Sequence, residues 1–252
     1  MIKKQIPNII TLSNLSCGAI AIYFAAQHCL ITASLFVVLG AVFDFFDGMT
    51  ARLLKVQSPI GKELDSLADD VTFGVAPGFI AFQVLTDVAV GNLFWLKFLA
   101  LLIPAFSAYR LAKFNLDERQ TTSFIGLPTP ANALIWLSIG TMHELFTTQN
   151  YDSWLWSLGG VRVWQNIAPT VENPWFLAIL IIVLCVALVC ELPLFSLKFK
   201  NLHWGDNYPR FVFLILSLIM IVLMGIVAIP FVMLLYIFIS ICYPPTSNTS
   251  NE

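Results

Sequence analysis

The chain has 252 residues, of which 58% are hydrophobic and only 11% are charged, and its formal net charge is -2. A soluble globular domain carries about 25% charged residues, so this composition and the mean hydropathy of +0.83 indicate a polytopic membrane protein. The small net charge and the absence of a basic stripe in the sequence argue against a nucleic-acid partner. The five cysteines have no CxxC or metal-like spacing, and several lie within apolar runs, where cysteine is usually a small hydrophobe, so we expect no disulfide framework.

Apolar runs of about 20 residues, the length that crosses a bilayer, predict an all-α membrane helix bundle with about eight transmembrane helices in one domain, residues 1–252. The first run follows Lys3 and Lys4 and has no small-residue cleavage site, so we expect it to be retained as a span. The first six predicted spans are, approximately, 8–26, 31–54, 59–85, 93–114, 126–146 and 173–192.

Two later segments depart from this simple pattern. Residues 147–174 contain several tryptophans and little charge, which predicts an extended loop, partly helical, against one membrane face. The apolar run within 209–243 is too long for one ordinary span. Gly225 and Pro230 predict a tight hairpin of two shorter helices there, and a single kinked helix is the alternative.

The lysines and arginines predict the orientation in the membrane. With the N-terminus inside, all of the 13 Lys and Arg residues except Lys97 and Arg162 fall on the inner side. This bias predicts both termini in the cytoplasm. We therefore expect a protein of a bacterial-type inner membrane whose stretch 44–69 faces the cytoplasm.

Four aspartates lie within this stretch, inside or beside apolar runs. Asp44 and Asp47 are three residues apart, and Asp65 and Asp69 are four apart, so each pair shares one helical face. A bare carboxylate at membrane depth costs several kcal/mol, and Mg²⁺ or Mn²⁺ bound by these oxygens would remove that cost. Solvated aspartates at span ends, a cation channel and a proton relay are the alternatives.

Other residues near the aspartates favour a phosphate ligand. Gly48, Ala51 and Gly61 are small and permit close approach of a diphosphate or of a second helix. Arg52 lies one turn beyond Gly48 and can bind a phosphate through paired hydrogen bonds. Asn8 and Thr11 can contact a nucleotide, and helix capping is their alternative role.

The spacing of the fixed residues in this stretch resembles the complete signature of the CDP-alcohol phosphotransferase family. Its eight fixed positions are Asp44, Asp47, Gly48, Ala51, Arg52, Gly61, Asp65 and Asp69. Further stretches, at 7–15, 65–77, 110–115 and 126–131, resemble the serine-accepting branch of this family.

The resemblance implies a six-helix core and two Mg²⁺ or Mn²⁺ ions. It implies that Asp44, Asp47 and Asp65 are metal ligands, and that Asp69 is both a ligand and the general base. It implies transfer of the phosphatidyl group from CDP-diacylglycerol to L-serine, which yields phosphatidylserine and CMP. The residues expected to bind the CDP-lipid are Asn8, Thr11, Gly48, Ala51, Arg52 and Gly61.

The residues that select the acceptor are predicted less directly. Arg110 and Lys113 lie at the cytoplasmic end of the fourth predicted span. They are expected to bind either the serine carboxylate or the lipid phosphate, and positive-inside anchoring is the equal alternative. Family members are usually homodimers, so the resemblance also implies a homodimer in the lipid bilayer.

Three other functions remain open at this point. The acceptor can be glycerol 3-phosphate or inositol phosphate, or the donor can be an archaeal-type lipid. A membrane prenyltransferase also uses aspartates and Mg²⁺, although its two aspartate motifs are usually far apart in sequence. A transporter or channel would release no CMP.

Overall fold

The computed structural model describes residues 5–56, 58–116, 124–156, 159–194 and 204–243, nearly all of which are helical. The main helices are α1 (Gln5–Ala26), α2 (Leu30–Leu53), α3 (Pro59–Asp70), α4 (Ala76–Val88), α5 (Leu102–Leu116), α6 (Thr129–Thr147), α7 (Gly160–Val171), α8 (Pro174–Val189), α9 (Trp204–Met224) and α10 (Ala228–Cys242). Shorter 3-10 helices cover Gly91–Leu101, Trp154–Trp156 and Gly225–Val227. Two-residue strands, β1 (Phe124–Ile125) and β2 (Pro193–Leu194), pair antiparallel. The predicted all-α membrane bundle is confirmed.

Five helical stretches of the described residues are long and apolar enough to cross a membrane. They are Gln5–Ala26, Leu30–Leu53, Pro59–Val88, Gly91–Leu116 and Asn207–Cys242. A sixth is counted if α7 and α8, which meet at 89°, form one broken span. The number of eight spans therefore stays a prediction.

Helices α1 and α2 form a close antiparallel pair. His28 has a positive φ of 60° in the turn between them, and the fully buried Ala21, Ala25 and Ala33 lie in the helices that flank it. Small side chains permit close packing of helices within a membrane. The pair therefore brings the C-terminal half of α2 beside the N-terminal half of α1.

A proline and a serine begin α3, as the sequence indicated. Pro59 occupies the first turn, and the Ser58 side chain accepts a hydrogen bond from the Gly61 N–H at 3.0 Å. The serine oxygen satisfies one unpaired N–H at the helix start, and proline has no N–H that would need a partner. The turn before Ser58 is short, so α3 lies directly after α2.

A π-helical turn, Val71–Val75, joins α3 to α4. Thr72 in this turn is fully buried and donates a hydrogen bond to the Asn14 carbonyl at 3.1 Å. A Cβ on Gly18 would lie 2.6 Å from Thr72 Oγ1, and a Cβ on Gly40 would lie 2.7 Å from Thr72 Cγ2. The turn is therefore seated against α1 and α2, at glycines that leave room for it.

Helix α6 lies at the centre of the bundle. Most of its residues are buried, and Trp136 is fully buried within the main apolar core. At its far end, His143 Nδ1 lies 2.8 Å from Glu172 Oε1, and His143 Nε2 lies 3.2 Å from Asp87 Oδ2. These three residues, the histidine cluster, tie α6 to the ends of α4 and α7.

The C-terminal helices form the predicted hairpin. Gly225 has a φ of +61°, and the rings of Phe213 in α9 and Tyr236 in α10 lie 5.7 Å apart between centroids. These residues are more than 20 positions apart, so one straight helix would hold them about 34 Å apart. Helices α9 and α10 therefore lie side by side over these residues, and two separate spans stay a prediction.

The tryptophan-rich segment is more ordered and more buried than predicted. The helical part of the prediction corresponds to a 3-10 turn and α7. Trp154 is exposed, as an interfacial residue would be, whereas Trp156 and Trp164 belong to the apolar core. Those two side chains are buried because α7 packs across the turn of the α9–α10 hairpin, where the Gly159 N–H donates to the Leu223 carbonyl at 2.9 Å. The position of the segment at a membrane face stays a prediction.

Candidate active site

The aspartates of α2 and α3 converge where these helices approach the same end of the bundle. Oxygen atoms of Asp44, Asp47 and Asp65 all lie within 4.8 Å of one another. Asp47 is buried and the other two are half-buried. The spacing in the sequence predicted this grouping, because each pair of aspartates occupies one face of its helix.

Asp69 lies next to this group and not within it. Its carboxyl group contacts Asp44, and its Oδ1 lies 3.5 Å from the Asn14 Nδ2 donor. Two carboxyl groups in contact need a shared proton or a nearby cation, because two bare negative charges repel each other. The site thus contains three clustered carboxylates and a fourth carboxyl group, that of Asp69, which contacts Asp44 and Asn14.

Helix α1 supplies polar partners to both aspartate-bearing helices. The buried Thr11 hydroxyl donates to Asp47 Oδ2 at 2.6 Å, and Asn14, also buried, reaches Asp69. Our sequence reasoning gave Asn14 no role in the site. The signal was present, because Asn8, Thr11 and Asn14 recur every three residues in an apolar helix.

A cavity of about 560 Å³ opens beside the carboxylates. It is lined by Pro7, Asn8, Thr11, Asp47, Gly48, Ala51, Val56, Ser58, Pro59, Gly61, Lys62 and Asp65. A Cβ on Gly48 would meet nothing within 4 Å, so the backbone there is open to a ligand. Five of the six residues predicted to bind the CDP-lipid line this cavity. The sixth, Arg52, is exposed and its Nε donates to the Gly48 carbonyl at 3.0 Å.

The two candidate acceptor residues have different surroundings. Arg110 is 7% exposed, and its guanidinium lies 5.6 Å from the centre of the Phe114 ring and within Coulombic range of Asp69. Lys113 instead contacts the Val189 carbonyl at 3.4 Å and Glu191 at 3.7 Å. The structure therefore brings Arg110 toward the aspartates and Lys113 toward the end of α8.

The donor set fits a hard divalent cation. Carboxylate oxygens are the ligands that Mg²⁺ and Mn²⁺ prefer, and Mg²⁺ usually completes its coordination with water and phosphate oxygens. The three clustered carboxylates leave one side facing the cavity, because Asp47 and Asp65 both line it. A phosphate in the cavity would therefore lie within reach of a cation held by this group.

Together these features define a class: a polytopic membrane protein with an acidic, cation-type site beside a cavity at one end of its helices. The sequence pattern of the CDP-alcohol phosphatidyltransferase family matches residues 4–171. The chain belongs to this family.

Similar proteins include three bacterial relatives, each named CDP-diacylglycerol–serine O-phosphatidyltransferase. The protein of Bacillus subtilis (strain 168) is 43% identical over 131 residues, which cover 50% of this chain and 70% of the relative. The protein of Helicobacter pylori (strain ATCC 700392 / 26695) is 32% identical over 230 residues, covering 84% and 93%. The protein of Mycobacterium leprae (strain TN) is 27% identical over 249 residues, covering 95% and 73%.

Proposed function

We propose that the protein transfers the phosphatidyl group of CDP-diacylglycerol to L-serine, giving phosphatidylserine and CMP. The observation that carries this proposal is the convergence of Asp44, Asp47 and Asp65 beside a cavity, with Asp69 in contact with the group. The names of the relatives support serine as the acceptor. Glycerol 3-phosphate and inositol phosphate each carry a phosphate that serine lacks, and they would need a denser cationic pocket than Arg110 and Lys113 offer.

Asp69 is the proposed general base. An unactivated serine hydroxyl is a poor nucleophile at neutral pH, so a carboxylate within hydrogen-bond reach must accept its proton. The serine oxygen then forms a bond to the phosphorus that carries diacylglycerol, and the bond from that phosphorus to CMP breaks. The Asn14 amide contacts one Asp69 oxygen, and the carboxyl group also contacts Asp44, so both neighbours fix its orientation toward the site.

Asp44, Asp47 and Asp65 are the proposed ligands of Mg²⁺ or Mn²⁺, and Asp69 is an additional ligand if two ions bind. When bound, such ions neutralise the diphosphate and the charge that develops on the departing CMP. Thr11 fixes the orientation of the Asp47 carboxylate through its 2.6 Å hydrogen bond. The open backbone at Gly48 lets the nucleotide approach α2 closely, and Gly61 lines the same cavity with Ser58 and Asn8 as close neighbours.

We propose that the site faces the cytoplasm, with both termini on the same side. Arg52, Lys55, Lys62, Arg110 and Lys113 all belong to helix ends or turns around the site. This concentration of positive charge is typical of the inner side of a membrane protein. A homodimer in the bilayer is also expected from the family resemblance.

The test is CMP release by the purified protein with CDP-diacylglycerol, serine and Mn²⁺ or Mg²⁺. We expect release to depend on serine and on the metal, and to stop when the metal is chelated. Turnover with glycerol 3-phosphate and none with serine would refute the acceptor. No CMP with any acceptor would refute an enzymatic function.

A matched pair of variants tests the role of Asp69. Asp69→Asn should abolish turnover, because an amide cannot accept the hydroxyl proton, while binding of CDP-diacylglycerol is largely kept. Glu63→Gln is the control, since Glu63 is exposed on the same helix. Full activity in Asp69→Asn would remove the proposed base.

A further inference from the structure

Helix α3 carries two of the four aspartates but has little apolar contact with the rest of the bundle. Of its 12 residues only Ala68 is buried, and Ile60 and Leu67 are 71% and 63% exposed. Burial of an apolar face is what normally fixes a short helix in a fold. The position of α3, and with it that of Asp65 and Asp69, therefore depends more on polar contacts.

The end of α5 supplies such contacts through Asn115. The Asn115 Nδ2 donates to Ser66 Oγ at 2.7 Å, and the Asn115 main-chain carbonyl accepts from Lys62 Nζ at 3.0 Å. The Ser66 hydroxyl in turn donates to the Lys62 carbonyl at 3.3 Å. Ser66 and Asn115 are both half-buried, so their hydrogen bond is stronger than one in open water. These three residues, Lys62, Ser66 and Asn115, form the α3–α5 clamp.

The α3–α5 clamp lies beside the aspartates of α3. Asp65 and Asp69 follow Lys62 and Ser66 by three residues each, so the four side chains form one continuous patch on the helix. The carboxylate of Asp65 lies within 4.8 Å of two carboxylates from α2. A shift of α3 relative to α2 would change these separations, and a metal site tolerates little change in the distances between its ligands.

We propose that Asn115 is a positioning residue for the metal site. Through Ser66 it holds α3 against α5, and so it sets the geometry in which Asp65 meets the carboxylates of α2. This inference rests on the proposed function, which supplies the metal, and it adds α5 to the elements that build the site. Asn115 acts through another residue, so its loss changes the metal affinity while the catalytic groups stay in place.

Calorimetric titration with Mn²⁺ tests the inference without reference to turnover. Asn115→Ala and Ser66→Ala each remove one partner of the same hydrogen bond, and a neutral hydrogen bond corresponds to about a two- to tenfold change in an equilibrium. We expect each variant to weaken Mn²⁺ binding by about three- to tenfold, with a melting temperature close to that of wild type. The double variant should weaken binding by about as much as either single variant, because all three lack the same contact.

Two further variants separate this contact from a general effect of the substitutions. Ser66→Thr keeps a hydroxyl at the same position and should bind Mn²⁺ within about twofold of wild type, less than the loss of one hydrogen bond. Ser16→Ala is the matched control for Ser66→Ala. The Ser16 hydroxyl also bonds the carbonyl four residues earlier, that of Leu12, but it lies on an exposed face of α1. This variant should bind Mn²⁺ as wild type does.

Three results would overturn the inference: unchanged Mn²⁺ affinity in Asn115→Ala and Ser66→Ala, additive losses in the double variant, or no recovery in Ser66→Thr. If Asn115→Ala does not fold, Ser66→Ala decides alone, because it removes a single atom. The proposed function fails separately, if the wild-type protein binds Mn²⁺ but releases no CMP with serine.

Discussion

Replacing Thr11 with valine tests how the first helix acts on the candidate metal site. The substitution keeps the shape of the side chain and removes the hydroxyl that donates to Asp47 Oδ2 at 2.6 Å. A hydrogen bond to a charged group contributes about 1.5–3 kcal/mol, and each 1.4 kcal/mol corresponds to about a factor of ten. Partners that orient metal ligands typically change metal affinity by about 10- to 100-fold. We therefore expect Thr11→Val to weaken binding of Mn²⁺ or Mg²⁺ by about 10- to 100-fold.

Calorimetric titration of the purified protein with Mn²⁺ measures this binding without reference to turnover. The Mn²⁺ dependence of CMP release should shift by a similar factor, with activity recovered at high metal concentration. Ser13→Ala is the matched control, because the Ser13 hydroxyl bonds Ile9 O of its own helix on an exposed face. Equal metal affinity in Thr11→Val and wild type would refute the argument that this hydrogen bond orients a ligand.

Three further predictions concern stability and use thermal unfolding of the purified protein. His143→Gln should lower the free energy of unfolding by about 1–3 kcal/mol, because it breaks the histidine cluster far from the aspartates; an unchanged melting temperature would contradict this. Trp156→Ala should lower the free energy of unfolding by about 3–5 kcal/mol, whereas Trp154→Ala, at an 84% exposed position, should have little effect. Equal effects of the two substitutions would refute the argument from burial. Gly18→Ala should lower the free energy of unfolding by about 1–3 kcal/mol through overpacking against the π-helical turn. Gly48→Ala, where a Cβ meets nothing within 4 Å, should leave it unchanged. Equal stability of the two variants would show that the turn can shift.

The helices near the N-terminus could be predicted closely because their signals are local. The apolar run 31–54 became α2 at Leu30–Leu53, and Ser58 with Pro59 began α3 at the expected residue. A span needs only a sufficient length of apolar residues, and a helix start needs only a cap.

The π-helical turn and α7 could not be predicted in this way. The turn depends on Thr72 meeting glycines from two other helices, and α7 depends on contacts with the α9–α10 hairpin. Such contacts between distant residues leave no periodic signal in the segment itself. For the same reason, tryptophan content suggested a membrane surface at Trp156, which is buried.

In the candidate site, too, local contacts could be predicted from the sequence and contacts between distant residues could not. The grouping of Asp44, Asp47 and Asp65 follows from helical spacing and a short turn, and the sequence therefore predicted it. The contact of Asn14 with Asp69 joins residues 55 positions apart. The different surroundings of Arg110 and Lys113 depend on where α8 ends, which no local pattern indicates.

The position of the site's partners along the chain has a consequence for membrane insertion. The residues that stabilise the aspartates of α2 and α3 belong to α1, which is synthesised first. When α2 enters the membrane, Thr11 is already present to donate a hydrogen bond to Asp47, and Asn14 is in place before Asp69 arrives. The hydrogen bonds from α1 would lower the cost of placing these carboxylates in lipid if they form during insertion.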